Sequence, residues 1–247
     1  ELQKEGVAGK GVTIWVLEDA GINEHPAVAQ YVNPSSEKIH SIILSTSRDH
    51  LVDGHPIIYN IDHGAGVASL IHQIAPEANL IVRYSNSTYD TSEIKRPQII
   101  NASFEKSFTT PSTITLQSSF GWILRNIPAP QDQPLVIKAA GNHKQDLSTY
   151  PETQGTAHDL LEVIIFAGSL KQGNLPTAYS ATPGNDPAIQ NRFLWVVGDD
   201  LLAAAGARGE KAYNYKGGTS FAAPIISGAA ALLKQAFPDF NMKDIAE

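Results

Sequence analysis

The chain has 247 residues, of which 42% are hydrophobic and 17% charged, so it holds enough apolar material for a sizeable buried core. A formal net charge of -7, with Lys and Arg residues scattered along the chain, gives no electrostatic reason to expect nucleic acid as a partner. The absence of cysteine excludes disulfides and thiolate metal sites, and no run of apolar residues is long enough for us to expect a membrane span.

Short apolar runs rich in β-branched residues alternate along the chain with helix-like or loop segments. Several of these runs are apolar on both faces, which is typical of parallel strands covered by helices. The pattern predicts strands over residues 13–17, 39–44, 79–84, 99–102, 135–139, 163–168 and 193–197. It predicts helices over residues 64–73, 112–126 and 220–235, the last with Pro224 in its first turn. We therefore expect an α/β fold and, without repeats or a low-complexity linker, one domain over residues 1–247.

Two polar residues, one before a predicted helix and one after a predicted strand, have side chains that can take part in catalysis. His63 precedes the helix predicted over residues 64–73, and the glycines after it leave space around its ring. A single histidine is usually packed or solvated, but an imidazole placed there can act as the base that activates a serine. Asn142 ends the sequence AAGN, where its amide can donate a hydrogen bond to an oxyanion or simply form a turn.

The most informative segment is GTSFAAP, residues 218–224, where a glycine turn leads into a helix of small residues. A serine at a helix N-terminus lies in a positive local field, among backbone N–H groups that can bind developing negative charge. Ser220 is therefore a candidate nucleophile. The commoner role of a serine or threonine at such a position is to cap the helix, and the segment alone does not distinguish the two.

Taken in chain order, these segments resemble the subtilisin-like serine proteases, or subtilases, across nearly the whole chain. GTSFAAP stands where the family has GTSxAxP, and HGAGVAS stands where it has HGTHVAG, with Ala65 and Gly66 replacing Thr and His. The resemblance implies a three-layer α/β fold with a mostly parallel central sheet and helices on both faces. It also implies a secreted or cell-surface location.

The resemblance further implies a serine endopeptidase that cleaves peptide or protein substrates through an acyl-enzyme. In this interpretation Ser220 is the nucleophile, His63 is the general base and then acid, and Asn142 with the Ser220 N–H forms the oxyanion hole. The mechanism needs no cofactor, and we expect no metal site. The acidic residues that we considered match no calcium loop: Asp49, Asp53, Asp62, Asp199 and Asp200.

Two adjacent carboxylates, Glu18 and Asp19, are candidates for the acid that orients His63. The family's Asp position falls on Glu18 when residues are counted without gaps from either flanking motif, and strand alternation places Glu18 on the same face as Val16. The local pattern Asp-x-Gly-Ile instead fits Asp19, provided that a bulge adds one residue to the strand. Since Glu can replace Asp in such a triad, we predict Glu18 and keep Asp19 as the alternative.

The segment SFEK, residues 103–106, stands where the family's substrate-binding strand reads Ser-Leu-Gly-Gly or similar. Such a strand can still pair with an extended peptide through its main chain. By the resemblance, the substrate-binding residues are Ser103, Phe104, Glu105, Ala140 and Gly141. The lost glycines prevent any transfer of specificity, and Glu105 either selects a basic substrate residue or faces solvent.

Two other functions are compatible with the resemblance. One is a peptide transferase or macrocyclase, in which an amine captures the acyl-enzyme, although no long inserted lid favours it. The other is a catalytically inactive subtilase-like module that binds peptides, an interpretation that the altered HGAGVAS and SFEK segments keep open. The family also implies an N-terminal propeptide or further domains in a longer precursor, and a final stretch beyond Glu247.

Overall fold

The computed structural model describes residues 2–18, 51–52, 55–56, 63–84, 97–104, 133–149, 161–205 and 212–247. The strands in these ranges are β1 (Thr13–Glu18), β2 (Leu51–Val52), β3 (His55–Pro56), β4 (Asn79–Tyr84), β5 (Ile99–Ala102), β6 (Leu135–Ala139), β7 (Ile164–Lys171), β8 (Leu175–Pro176), β9 (Phe193–Val197), β10 (Leu201–Ala205) and β11 (Ala212–Lys216). The helices are α1 (His63–Ile74), α2 (Pro187–Gln190), α3 (Thr219–Ala236) and α4 (Met242–Ile245), with 3₁₀ turns at Leu2–Glu5 and Leu147–Thr149.

A mostly parallel sheet of seven strands organises the described structure. Its strands run in the order β4-β1-β5-β6-β7-β8, and β9 also pairs with β7. Only the short β8 is antiparallel to its neighbour. The α/β prediction is therefore confirmed, because the doubly apolar runs of the sequence form the buried central strands.

Most of the predicted elements agree with those observed. The strands predicted over residues 79–84, 99–102, 135–139 and 193–197 have the observed bounds, and the helix predicted over 220–235 is one residue longer at each end. The strand predicted over 39–44 and the helix predicted over 112–126 lie outside the described residues. The β10–β11 hairpin was not predicted.

The alternation of β1 divides its side chains between the two faces of the sheet. Ile14 and Val16 pack in a buried cluster with residues of α1 and α3, so both helices cover this face. Trp15 and Leu17 belong to the cluster on the opposite face, which also contains Ile189 of α2. The last residue of β1, Glu18, has the same parity as Ile14 and Val16 and is therefore directed toward the face of α1 and α3.

Helix α3 packs closely against α1 because its buried side chains are small. A Cβ atom on Gly228 would lie 2.7 Å from the Cβ of Ile74, so only glycine allows the end of α1 to approach this closely. Pro224 lies inside α3 rather than in its first turn, and that part of the prediction is wrong because the helix begins already at Thr219. Proline has no N–H to donate to the carbonyl of Ser220, four residues earlier.

The far end of α3 is tied to the start of the chain by one side chain. Gln235 Oε1 accepts hydrogen bonds from the backbone N–H groups of Ala8, Gly9 and Lys10, at 2.8, 2.6 and 2.9 Å. Its Nε2 donates to the carbonyl of Gly6 at 2.9 Å. We call this set of four hydrogen bonds the Gln235 clasp.

Candidate active site

His63 and Glu18 come together because a strand ends where a helix begins. Glu18 is the last residue of β1 and His63 is the first residue of α1. Glu18 Oε2 lies 2.7 Å from His63 Nδ1, a length typical of a hydrogen bond to a charged partner. The carboxylate can only accept, so Nδ1 carries the proton and, in the neutral ring, Nε2 keeps a lone pair. Asp19, the alternative acid, lies outside the described residues.

The burial of this pair suits a fixed histidine with one accessible edge. The Glu18 side chain is 1% exposed, whereas that of His63 is 15% exposed. A buried carboxylate in contact with Nδ1 holds the ring in one orientation and stabilises its protonated form. The arrangement therefore provides an imidazole that can accept a proton at Nε2.

Phe221 places this histidine beside the N-terminus of α3. The rings of His63 and Phe221 are 5.2 Å apart between centroids and tilted by 55°. Phe221 is 5% exposed and follows Ser220 directly, so the imidazole lies next to the turn that carries the serine. Gly66 of α1 contributes to this proximity, since a Cβ at that position would lie 3.2 Å from the Phe221 ring.

Ser220 is the second residue of α3 and is 8% exposed. Its backbone N–H belongs to the first helical turn, where no intrahelical acceptor exists, and it donates to no backbone carbonyl of the described residues. Within the same residues its Oγ makes no hydrogen bond, including to His63. Contacts of this kind are often long in a site without substrate and shorten when substrate binds.

Asn142 is held against the start of α3 by Thr219. Its Oδ1 accepts hydrogen bonds from the backbone N–H of Thr219 at 2.9 Å and from Thr219 Oγ1 at 3.1 Å. A backbone N–H can only donate, so the Asn142 atom that it contacts is the oxygen, and this fixes the orientation of the amide. The Nδ2 group, which is the donor end of the amide, therefore points away from the Thr219 N–H.

Thr219 was not among the predicted site residues, although it links the two halves of the predicted oxyanion hole. Its Oγ1 also accepts a hydrogen bond from the N–H of Gly141 at 3.1 Å. Gly141 has a φ of 118° and Gly218 a φ of 143°, conformations that a residue with a Cβ rarely adopts. The glycines in AAGN and GGTS thus let two turns meet through one threonine, and the threonine of the GTS motif was the available signal.

Four of the five residues predicted to bind substrate lie in the part of the chain that the structure describes. Ser103 is fully buried, and its Oγ accepts a hydrogen bond from Asn101 Nδ2 at 2.8 Å, so its side chain is not exposed to a peptide. Phe104 and Ala140 are 6% and 8% exposed, whereas Glu105 lies outside the described residues. The carbonyl of Gly141 accepts from the N–H of Ala181 at 2.9 Å and is therefore already paired.

Of the acidic residues considered for calcium, the structure describes Asp199 and Asp200. They line an open cavity beside Gly217, together with Lys171 and Lys216. Asp199 accepts a hydrogen bond from the hydroxyl of Tyr179 at 3.3 Å, and burial raises the pKa of that phenol. Across the described ranges, no group of three or more His, Cys, Asp or Glu residues is arranged to hold a metal ion.

Comparison with known proteins identifies the family. The model of the subtilase family matches residues 9–247, which is nearly the whole chain. The chain belongs to the subtilase family. A search of curated proteins found no match to this subtilase.

Solved structures of proteases share the fold of this subtilase. A serine protease of Aeromonas sobria has a TM-score of 0.67 and 21% identity, covering 98% of this chain and 50% of that protein. A lanthipeptide protease has a TM-score of 0.64 and 19% identity, covering 99% and 81%. A cold adapted subtilisin-like serine proteinase has a TM-score of 0.59 and 20% identity, covering 97% and 81%.

The resemblance and the subtilisin-like fold predicted from the sequence are thus confirmed. Family membership and these neighbours support a protease. The chain spans half the length of the Aeromonas sobria enzyme, so the activity and partners of the whole protein belong to the proposals below. None of the helices that the structure describes has both the length and the apolar composition needed to cross a bilayer.

Proposed function

We propose that this subtilase is a serine endopeptidase that hydrolyses peptide bonds through an acyl-enzyme on Ser220. The observation that carries the proposal is the 2.7 Å hydrogen bond between Glu18 and His63 Nδ1, beside the helix that begins at Thr219. This contact leaves Nε2 of the neutral ring as a base, which a serine hydroxyl needs in order to act as a nucleophile.

In the proposed acylation step, Ser220 Oγ attacks the carbonyl carbon of the scissile bond while His63 Nε2 takes the hydroxyl proton. The carbonyl oxygen becomes an oxyanion, which accepts hydrogen bonds from Asn142 Nδ2 and the Ser220 N–H. Both donors are oriented before reaction, one by Thr219 and the other by the start of α3. Glu18 stays ionised and stabilises the imidazolium.

The intermediate then collapses, and the C–N bond breaks as the leaving amine takes the proton from His63. A water molecule next attacks the carbonyl carbon of the ester while His63 takes one of its protons. The second intermediate collapses as His63 gives that proton to Ser220 Oγ, which releases the acid product and restores the enzyme. Every proton in this sequence passes through His63, so no cofactor is needed.

A fluorophosphonate probe tests the proposal because it reacts with serines that have an activated hydroxyl. We expect the wild-type protein to be labelled on Ser220, located by mass spectrometry of proteolytic fragments, and Ser220→Ala to remain unlabelled. Peptide hydrolysis by Ser220→Ala should fall by about 10⁶-fold. Circular dichroism of both proteins establishes that they are equally folded.

Two results would contradict the proposal in different ways. Folded wild-type protein that is never labelled would indicate an inactive peptide-binding module. Labelling accompanied by amine-capped or cyclic products, instead of free carboxyl termini, would indicate a transferase. Mass spectrometry of the products separates hydrolysis from transfer, because only hydrolysis adds the mass of water.

A further inference from the structure

Lys138 lies where a charged side chain is unexpected. It is the fourth residue of β6, a strand with parallel neighbours on both sides, and its Cα is in register with Ala102 of β5 and Phe166 of β7. The other four residues of β6 are buried, and Lys138 itself is half-buried. Lysine is rarely retained in such a position unless its ammonium group has specific partners.

The ammonium group of Lys138 makes two kinds of contact with Phe104. Its Nζ donates a hydrogen bond to the backbone carbonyl of Phe104. The same Nζ lies 4.8 Å from the centroid of the Phe104 ring, within the range of a cation–π interaction. Both contacts favour the charged form of the lysine and offset part of its desolvation.

The side chains of Lys138 and Phe104 lie on the same side of the sheet. Val136 and Ala140, two positions before and after Lys138, belong to the buried cluster that includes Phe104. Phe104 is 6% exposed and stands two residues beyond the end of β5. Lys138 therefore connects the chain after β5 to β6 at a point where sheet pairing has ended.

The two segments that Lys138 connects both have roles in the proposed mechanism. Phe104 follows Ser103, in the segment proposed to pair with the substrate main chain, and Asn142 lies four residues after Lys138 on the chain leaving β6. We propose that Lys138 is a positioning residue, which holds Phe104 so that the substrate main chain is aligned with the oxyanion hole. This inference rests on the proposed function, because it assigns a task within that active site.

Substrates of different length separate positioning from a general structural role. A short ester with one acyl residue reacts at Ser220 without using the segment at Ser103 and Phe104. A tetrapeptide substrate with the same residue at the cleaved bond also pairs with that segment. We expect Lys138→Met to lower kcat/KM for the tetrapeptide about tenfold, mainly through KM, and to leave the short ester within about twofold of wild type.

Three further variants sharpen the test. Lys138→Arg keeps a cationic donor and should restore most of the tetrapeptide activity. Lys10→Met removes an exposed lysine by the same substitution and should behave as wild type with both substrates. Should Lys138→Met not fold, as judged by circular dichroism, Lys138→Gln replaces it, since Gln removes the charge but keeps a polar side chain. Equal losses for both substrates, or no loss for either, would overturn the inference.

Hydrogen exchange tests the contact between Lys138 and Phe104 without any measurement of catalysis. We expect faster amide exchange in a fragment covering residues 97–104 of Lys138→Met than in wild type or Lys10→Met. If folded wild-type protein does not react with the fluorophosphonate, the proposed endopeptidase function fails. Hydrogen exchange alone then tests whether Lys138 holds Phe104 in position. Unchanged exchange in that fragment would then rule out the positioning role.

Discussion

The proposed nucleophile corner, where the chain after β6 meets the start of α3, and the proposed substrate segment, which follows β5, are held in different ways. The nucleophile corner, which consists of Gly141, Asn142, Thr219 and Ser220, is connected by hydrogen bonds that involve backbone N–H groups. The substrate segment, Ser103 and Phe104, is held by side chains of Asn101 and Lys138.

This difference explains where the sequence keeps the family pattern and where it departs from it. A backbone N–H needs an acceptor of one size at one position, so few residue types can replace Thr219 or Asn142. Main-chain pairing with a substrate makes no such demand on the side chains of the strand. The groups proposed to carry the chemistry are therefore fixed more strictly than the segment proposed to bind the peptide.

The largest expected effect tests the acid behind the nucleophile corner. We expect Glu18→Gln to lower kcat by about 10³- to 10⁴-fold, because an amide can donate to Nδ1 and so favours the tautomer without a basic Nε2. Asp19→Asn should change kcat by less than about threefold. Steady-state kinetics with one peptide substrate measures both, and a greater loss in Asp19→Asn than in Glu18→Gln would assign the role to Asp19.

A smaller effect is expected when the donor group proposed for the oxyanion, Asn142 Nδ2, is replaced. Asn142→Asp keeps the Oδ1 that accepts from Thr219 but loses the Nδ2 donor, so kcat should fall by about 10²- to 10³-fold with little change in KM. The temperature of unfolding should change less than in Asn142→Leu, which also loses the contact with Thr219. A kcat within a few-fold of wild type would show that Asn142 serves only as an anchor.

The smallest effect on catalysis is expected at the Gln235 clasp, far from both regions. Gln235→Ala removes the acceptor of three backbone N–H groups, so the free energy of unfolding should fall by about 1–3 kcal/mol in urea titrations. Gln235→Glu keeps the acceptor and should lose less. Activity under native conditions should match wild type in both, and a tenfold loss would link the clasp to the active site.

The central strands could be predicted from sequence because burial on both faces leaves an uninterrupted apolar pattern. The hairpin of β10 and β11 lacks that pattern, since Leu202, Tyr213 and Tyr215 are about half exposed or more. Its pairing instead depends on register between strands that are each five residues long. Short strands with exposed apolar side chains are not distinguished from loops by periodicity alone.

The candidate site was predictable only where a local sequence pattern encodes the position of a residue. Strand alternation placed Glu18 on the face of β1 that the structure covers with α1, although its contact with His63 joins residues 45 positions apart. The contacts of Thr219 with Asn142 and of Lys138 with Phe104 also join distant segments. No local spacing encodes such contacts, and Lys138 in the sequence resembles any lysine at the end of a strand.

The Gln235 clasp has a practical consequence for the attachment of a fluorophore or surface linker to this protein. Ser220 and Gln235 lie near opposite ends of α3, about 22 Å apart at a rise of about 1.5 Å per residue. Because Gln235 holds the chain at Gly6, a fluorophore or surface linker introduced beside that residue is fixed at the end of the helix remote from the serine. An extended linker needs about seven residues to cover that distance, so a shorter one leaves the surroundings of Ser220 open for immobilised assays.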